Sequence, residues 1–484
     1  MLNSARIVCL ASACLSLATA AQAADFAKIG PQAPAAQLIA AHGAVQGPIL
    51  RLVYDSTVPD KARTTVEIGR DYVYVRQSEA GKPDRATLHD YALRRDIAID
   101  EVHRSFVNTS MYAMADFRFA EAYNRRVIRG ALQAAKLSGA PVHPYFDLQE
   151  TGIASPDDGP VAFDREHTKT GGLRFVVEGK TAAAYEPSSE SLSQEETQGV
   201  LRFLRATVRL HPEMLSAIDA GRNLPQEIVT LEGMLDKRTE RRWSLVSVER
   251  VQGTYPLAAD YQSGLAASET EFAPSLKALL PLMLDAVAGR YRGGPRSLAD
   301  YRAAQADALA KGNVLQHFLL DNEMLLQYRR GTGACLAGNV LHDDCSQQQE
   351  IVDKWKADAA TMKVAQAFAL EKQNPKEAIA QRNEVSRAGL SNAYMLDLWN
   401  ADVMIQHNVG GDPVALFTVA IKGNPYVGGF YKDLGDAYRY SFQPAEAWLC
   451  YDLARALPGG QSSPVVDGIS RMEGSIASRN PEFF

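Results

Sequence analysis

The sequence predicts a multi-domain α+β protein, in which a curved antiparallel sheet with one long helix precedes an all-α solenoid. Three observations support this fold class. The chain has 484 residues, which is more than one ordinary hydrophobic core accommodates. Apolar residues make up 46% of it and charged residues 22%, as in folded globular proteins. Segments rich in β-branched and aromatic residues recur through 48–260, whereas 270–484 shows helical periodicity between short breaks.

Residues 1–23 have the pattern of a secretory signal peptide, so we expect an exported protein that is periplasmic or secreted. Arg6 supplies the positive charge, 7–20 the apolar core and 21–23 the small-residue cleavage site. The apolar run is shorter than the ~20 residues that a spanning helix needs, which favours cleavage over a membrane anchor. A lipid-modified Cys14 is the other alternative. No later segment has the length and hydrophobicity of a membrane span.

Residues 24–47 are rich in Ala, Gln, Gly and Pro and predict a linker before an α+β domain at 48–260. Turn residues separate the first strand candidates, which favours an antiparallel meander. These strands are predicted at 48–55, 63–69, 72–77, 86–91 and 96–100.

A long amphipathic helix is predicted at 111–137, with Thr109 or Ser110 as its N-cap. Its stripe of large side chains predicts core packing against the sheet, and a ligand cavity is the alternative. The stripe consists of Met114, Phe117, Phe119 and Tyr123.

The rest of this half predicts a loop at 138–170, helices at 193–210 and 211–220, and further strands. Ser193 and Glu196 form a capping box at the first of these helices. The strands are predicted at 173–178, 182–186 and 241–251. The order of elements is similar in outline to the half-barrels of exported bacterial carriers of hydrophobic molecules, which is an analogy of fold alone.

Residues 270–484 predict an α-helical domain. Short Gly, Asn and Pro breaks separate the helices, a texture typical of an α-solenoid. The helices are predicted at 274–291, 297–312, 314–330, 347–373, 375–388, 392–408, 413–422, 426–440, 444–457 and 464–478.

The stretch 428–461 carries large and small apolar residues at the spacing of a helix–turn–helix repeat. The small residues let two helices approach, and the large ones fill the space between turns. These positions hold Tyr431, Leu434, Gly435, Tyr438, Ala447, Tyr451 and Ala454. The pattern closely resembles a tetratricopeptide repeat (TPR). One repeat length earlier a degenerate copy has Ala401, Met404, Phe417 and Ala420 at the equivalent positions.

This resemblance implies an array that binds a peptide or protein partner in a concave groove, here an envelope partner. Polar groove residues would come from the first helix of each pair, which makes Asn400 and Asp436 the candidates. Ordinary solvated helix positions are the alternative for both. A helical array can also act only as a structural brace for the domain before it.

Catalytic and cofactor signatures are missing from the sequence. It has no Gly-x-Ser-x-Gly, Ser-x-x-Lys, His-Glu-x-x-His, Gly-x-x-x-x-Gly-Lys or Cys-x-x-Cys motif. The adjacent polar residues 342–345 cannot readily converge on one ion, so we expect a hydrated loop there. Asp157 and Asp158 suit a turn. We therefore predict no metal or cofactor. A spatial cluster of Glu166 with His143, His167 and His211 is left open.

The cysteine positions and the net charge further restrict the class of protein. Cys335 and Cys345 are the natural disulfide pair in an oxidising compartment, and this link would stabilise the fold by about 2–3 kcal/mol. Cys450 suits a small buried apolar position rather than a reactive thiol. A mildly acidic chain, with a net charge of −6, lacks the basic footprint expected of a protein that binds nucleic acid or anionic lipid.

The leading hypothesis is a non-enzymatic exported protein that binds a partner through its TPR-like array. A second is a carrier that encloses an apolar ligand between the sheet and the helix at 111–137. A third is a hydrolase with catalytic residues dispersed along the chain.

Overall fold

The structure is a computed structural model that describes residues 29–43, 46–57, 62–79, 81–135, 143–153, 161–232, 239–265, 272–328, 348–458 and 464–484. The chain forms two compact units. The sheet unit comprises Pro31–Ser268 and Ser475–Phe484. The helical unit comprises Glu269–Gly474 with the described residues Ile29 and Gly30. A largely antiparallel sheet followed by a cluster of helices confirms the predicted α+β class.

One open sheet of twelve strands organises the sheet unit. Its order is β12-β6-β5-β4-β3-β2-β1-β11-β10-β9-β8-β7, and all neighbours are antiparallel except β12 and β6. The strands are β1 Gln46–Ser56, β2 Ala62–Ile68, β3 Tyr72–Glu79, β4 Arg85–Asp90, β5 Arg95–Asp100, β6 Ser105–Ser110, β7 Asp164–His167, β8 Leu173–Val177, β9 Lys180–Ser191, β10 Asn223–Glu232, β11 Thr239–Thr254 and β12 Gln262–Ser263.

The predicted strands are all present, and four further strands were not predicted. These are β6, β7, β10 and β12. The sequence of β10 has a proline, which argues against a central strand. In the structure Pro225 lies where the pairing of β10 with β9 shifts register, so the missing amide proton interrupts the ladder at an irregularity.

Among the described residues, five α-helices accompany the sheet. They are α1 Ala35–His42, α2 Tyr112–Ala134, α3 Pro144–Thr151, α4 Gln194–Phe203 and α5 Pro212–Gly221, with a π-helical turn at Leu204–Val208 after α4. The capping box of α4 is confirmed: the Ser193 hydroxyl accepts from the Glu196 amide, and the Glu196 carboxylate accepts from the Ser193 amide. Helix α1 lies inside the predicted linker, where Leu38 is fully buried.

The core of the sheet unit comes from helices that follow β9. Val200 and Phe203 of α4 and Met214 of α5 are fully buried with strand residues such as Tyr54 and Val66. The prediction that the stripe of α2 packs on the sheet is wrong for three of its four members. Met114, Phe117 and Tyr123 are exposed, because α4 and α5 already occupy the core.

The helical unit contains every predicted C-terminal helix. These are α6 Pro274–Val287, α7 Leu298–Ala310, α8 Val314–Tyr328, α9 Gln348–Ala357, α10 Ala359–Leu370, α11 Pro375–Asn383, α12 Tyr394–Gln406, α13 Pro413–Gly423, α14 Gly428–Tyr440, α15 Pro444–Ala456 and α16 Pro464–Arg479, of which α16 ends in the sheet unit. The single helix predicted at 347–373 is two, because the Asp358 side chain caps α10.

Consecutive helices of this unit pack in pairs, notably α7 on α8, α10 on α11, α12 on α13 and α14 on α15. This arrangement is compatible with a helical repeat array. Among the described residues, no helix combines the length and the apolar character that a membrane crossing requires.

Candidate functional site

The hairpin of α14 and α15 is held by the residues that carry the repeat pattern. Tyr431, Leu434, Tyr438, Ala447, Tyr451 and Ala454 are all buried. Gly435 permits the close approach: a Cβ there would lie 2.5 Å from the Tyr451 ring and 3.0 Å from the Ala447 carbonyl. The Tyr438 hydroxyl lies 2.9 Å from Ser275, which ties the hairpin to α6. Shape complementarity at Gly435 therefore fixes the two helices against each other.

The neighbouring pair, α12 and α13, repeats this packing in a weaker form. Ala401, Phe417 and Ala420 are fully buried at the equivalent positions, while Met404 is only half-buried. First helices α12 and α14 also contact each other, so side chains from both can form one surface.

A charged cluster lies where α12 and α14 meet, and we call it the acidic face. It consists of Asp402 on α12 with Lys432, Asp433 and Asp436 on α14, all half-buried. The Lys432 ammonium donates to Asp436 at 2.5 Å and lies 3.7 Å from Asp433. The Tyr451 hydroxyl of α15 donates to the other Asp436 oxygen at 2.7 Å. One ammonium group thus contacts two carboxylates and interacts electrostatically with a third, that of Asp402.

The pKa values of the carboxyl groups in the acidic face reflect their burial first and the shortage of positive charge second. Burial raises the pKa of Asp433 to about 7, because the Lys432 ammonium only partly offsets the loss of solvent and the charge of Asp436. Burial and the Asp433 carboxylate likewise raise the pKa of Asp402 well above its usual range. For Lys432, burial alone would lower the pKa, but Asp436 and Asp433 raise it above the ordinary value.

Of the two predicted groove residues, Asp436 belongs to the acidic face and Asn400 does not. Asn400 is only 2% exposed, and its amide donates to Asn383 at the end of α11 at 3.0 Å. It therefore holds α11 on α12 and is not available to a partner. Asp402, Lys432 and Asp433 were missed in the sequence. The sequence did contain a signal for Asp402, because this residue lies one repeat length before Asp436.

A second polar cluster, around Glu323 of α8, is buried and hydrogen-bonded among its own members, and the half-buried Arg296 lies 3.7 Å from the Glu323 carboxylate. Tyr301 and Tyr394 donate to its carboxylate at 2.7 and 2.6 Å. The side-chain amides of Asn392 and Asn424 donate to it as well. Burial raises the pKa of both tyrosines, which keeps them as donors. This network joins four segments of the helical unit, and its geometry indicates a structural role.

The other chemistry-bearing residues do not assemble a reactive centre in the described part of the chain. His143 caps α3, His167 is exposed on β7, and Glu166 faces Arg174 at 3.8 Å. His211 is buried and stacks on Tyr145 at 4.7 Å. Within the described ranges, no three His, Cys, Asp or Glu residues form a group that could hold a metal ion.

Histidine–carboxylate pairs do occur in the sheet unit. His42 lies 2.9 Å from the buried Asp90, which also accepts from Tyr255 at 2.6 Å, and His89 lies 2.7 Å from Asp96. In the described part of the chain, no serine, threonine or cysteine hydrogen-bonds either histidine. Within the described residues, neither pair is therefore joined to a hydroxyl or thiol that it could activate as a nucleophile.

The structure tests the prediction for Cys450 but not the one for Cys335 and Cys345. Cys450 is fully buried on α15, as predicted, and burial raises the pKa of its thiol. Cys335 and Cys345 lie outside the described residues, as do Asp157, Asp158 and the polar residues 342–345. The disulfide therefore stays a prediction.

No protein-family model, curated protein or solved structure matches this chain.

Proposed function

We propose that this protein is an exported, non-enzymatic binding protein whose TPR-like helical unit recognises a basic segment of another envelope protein. The acidic face is the contact surface. Lysine or arginine side chains of the partner would pair with Asp402 and Asp433, which share the single ammonium group of Lys432 with Asp436.

The grouping of three carboxylates, those of Asp402, Asp433 and Asp436, around one ammonium group is the observation that carries this proposal, and the pKa of Asp433, raised to about 7, agrees with it. A half-buried carboxylate of this kind costs the isolated protein stability, because burial removes part of its solvation and the Lys432 ammonium offsets that loss only partly. A cation from a partner would offset that loss of stability, so part of the binding free energy would come from relieving it. The resemblance of the α14–α15 hairpin to a TPR and the signal-peptide pattern at 1–23 support the same proposal.

Capture of envelope proteins by the full-length chain tests the proposal. We expect specific partners with basic segments to bind the wild type and to be lost from the double variant Asp402→Asn/Asp433→Asn. The matched control, Asp307→Asn/Glu350→Gln, removes two charges at exposed helical positions that already pair with lysines.

Partners and affinity should be measured by mass spectrometry and by titration with synthetic lysine-rich peptides. Binding that both double variants retain equally would contradict the acidic face as the contact surface. Binding to acidic peptides in preference to basic ones would contradict the charge argument.

A further inference from the structure

The end of the chain is bound to the sheet unit through its last two side chains. Pro481–Phe483 forms a 3-10 turn after α16, and the side chains of Phe483 and Phe484 are both half-buried. Each ring contacts a different group of residues from distant parts of the sequence. We call the residues that contact the two rings the tail site. They are Arg94, Tyr112, Arg118, Gly152 and Arg205.

The Phe483 ring lies between three elements of the sheet unit. The guanidinium groups of Arg118 on α2 and Arg205 in the π-helical turn lie 5.2 and 5.8 Å from the ring centre. Gly152, which ends α3 in the left-handed conformation, forms the third side. A Cβ at Gly152 would lie 3.2 Å from the Phe483 ring. This part of the tail site therefore fits a planar aromatic ring beside glycine.

Phe484 and the backbone before it are held separately. The Phe484 ring lies 4.8 Å from the Tyr112 ring, and the Arg94 guanidinium lies 5.6 Å from its centre. The Glu482 carbonyl accepts a hydrogen bond from Arg205 at 2.5 Å. Aromatic contacts and a backbone hydrogen bond thus recognise the last three residues together, which is how peptide-binding sites combine specificity with affinity.

Two guanidinium groups of the tail site form no ion pair with a carboxylate among the described residues. Arg118 is only 4% exposed and donates to backbone carbonyls of the π-helical turn, while Glu121 interacts with it from a distance. Burial, with Arg209 and Arg205 nearby, lowers the pKa of Arg118 to about 10. Burial also lowers the pKa of Arg205, which Glu482 partly offsets. This environment favours a ligand that brings negative charge.

We propose that the tail site binds the carboxyl terminus of a partner protein that ends in phenylalanine, and that the chain's own tail occupies the site until then. The seated tail shows which ligand fits: aromatic side chains at the last two positions, beside a terminal carboxylate that suits the arginines. This proposal does not depend on the acidic face, which belongs to the helical unit.

The tail is an autoinhibitory contact in this arrangement. Because it is covalently attached, it competes with any free carboxyl terminus at an effective concentration on the order of mM. A partner must therefore displace Phe483 and Phe484 before it can bind. Weakening the tail should expose the site without changing any residue of the site itself.

Fluorescence anisotropy with a labelled peptide tests this inference. The peptide has an unrelated Gly/Ser sequence, then Glu-Phe-Phe and a free carboxylate. We expect the full-length variant Phe483→Ala/Phe484→Ala to bind it about tenfold or more tightly than the wild type, whose tail competes. The matched control Tyr440→Ala/Phe442→Ala removes two exposed aromatic side chains of the helical unit and should bind as weakly as the wild type.

Two altered peptides test the chemistry of recognition. A peptide with a carboxyl-terminal amide and one ending in Ala-Ala should each bind the Phe483→Ala/Phe484→Ala variant about tenfold more weakly or worse. Adding Arg205→Gln to this variant should weaken binding of the original peptide as well, since Arg205 contacts both the ring and the backbone of the tail.

Circular dichroism and thermal unfolding show whether each variant retains the fold. If the double variant does not fold, the single variant Phe484→Ala gives the same comparison in a chain that keeps Phe483. Equal binding of the peptide to wild type and variant overturns the proposal, and so does full binding of the Ala-Ala peptide. Binding restricted to a peptide with the sequence of residues 475–484 also overturns it, because the tail is then only a structural part of the sheet unit.

Discussion

The carboxyl of Asp433 makes the stability of the helical unit depend on pH in a defined direction. Its pKa is about 7 in the folded protein and near 3.8 when unperturbed. The folded state therefore holds this proton more tightly, and stability falls as pH rises from about 4 to 7. Binding of a cation should reverse that loss, so the pH dependence reports on the acidic face directly.

We expect Asp433→Asn to be more stable than the wild type at pH 8, by about 2 kcal/mol, and to approach it near pH 4. The asparagine keeps the shape of the side chain and cannot ionise. Urea denaturation at several pH values measures the difference. Asp307→Asn, an exposed control on α7, should change stability by less than about 0.5 kcal/mol at either pH. If Asp433→Asn is no more stable than the wild type at pH 8, the ionised Asp433 carboxylate does not destabilise the folded protein.

His211 gives the opposite pH dependence in the sheet unit. Burial lowers its pKa from 6.5 to about 4, with the Arg165 charge adding to the effect. Below pH 6.5 the His211 imidazole takes up a proton in the unfolded chain, whereas in the folded protein it stays neutral down to about pH 4. The stability due to neutral His211 is therefore complete above pH 6.5 and is lost progressively as pH falls to about 4.

The variant His211→Phe should abolish this part of the acid sensitivity, about 3 kcal/mol between pH 7 and pH 4. The aromatic ring preserves the stacking on Tyr145 while removing the titratable nitrogen. Denaturation midpoints measured across that pH range test the expectation. His167→Asn, at an exposed position on β7, should keep the wild-type pH dependence. If both variants retain it, burial of His211 is not its source.

Residues of the candidate site differ in how far the sequence could identify them. Asp436 was identified because the repeat pattern gives its position on a first helix. The role of Asp402 follows only when α12 and α14 are seen in contact. Asn400 shows the opposite error, since a polar residue type predicted exposure and the packing of α11 buried it. Local pattern indicates position, but burial depends on elements distant in sequence.

At the scale of the element, the α14–α15 hairpin depends on the absence of a side chain at Gly435. We expect Gly435→Ala to destabilise the helical unit by about 2 kcal/mol, because the new methyl group would overlap the Tyr451 ring. Gly474→Ala, also in a helix but with open space around it, should instead stabilise by about 0.5–1 kcal/mol. Thermal unfolding of both variants makes the comparison, and equal effects would contradict the close packing.

Elements with strong local signals were predictable, and those defined by distant partners were not. The capping box fixes the start of α4, and short breaks separate the helices after Pro274. By contrast, β6 and β10 are recognisable as strands only beside their partners. The exposure of α2 was also beyond the sequence, because its amphipathic pattern is the same whether the apolar rows meet a sheet or solvent.

For the whole molecule, the division into units makes the last ten residues important to the sheet unit. Phe483 lies 5.2 Å from the Arg118 guanidinium, and the Phe484 ring lies 4.8 Å from that of Tyr112. The Glu482 carbonyl accepts from Arg205 at 2.5 Å. This segment therefore covers the base of α2 after the chain has completed the helical unit.

We expect Phe483→Ala/Phe484→Ala to destabilise the sheet unit by about 2 kcal/mol and to leave the helical unit unchanged, since the lost contacts are all within one unit. Hydrogen exchange resolved by mass spectrometry separates the two responses. Phe442→Ala, a half-exposed phenylalanine of the helical unit, serves as control. Faster exchange in α12–α15 of the double variant would contradict the division of the chain.

The pairing of β1 with β11 has a consequence for biogenesis. If the chain crosses a membrane N-terminus first, as its leader pattern predicts, β1 emerges long before the strand that pairs with it. During that interval the edge of β1 offers unpaired amide and carbonyl groups to any neighbouring chain. Ser475–Phe484, which also belongs to the sheet unit, arrives only after the helical unit. Translocation speed and holdase chaperones should therefore govern the yield of the sheet unit more strongly than that of the helical unit.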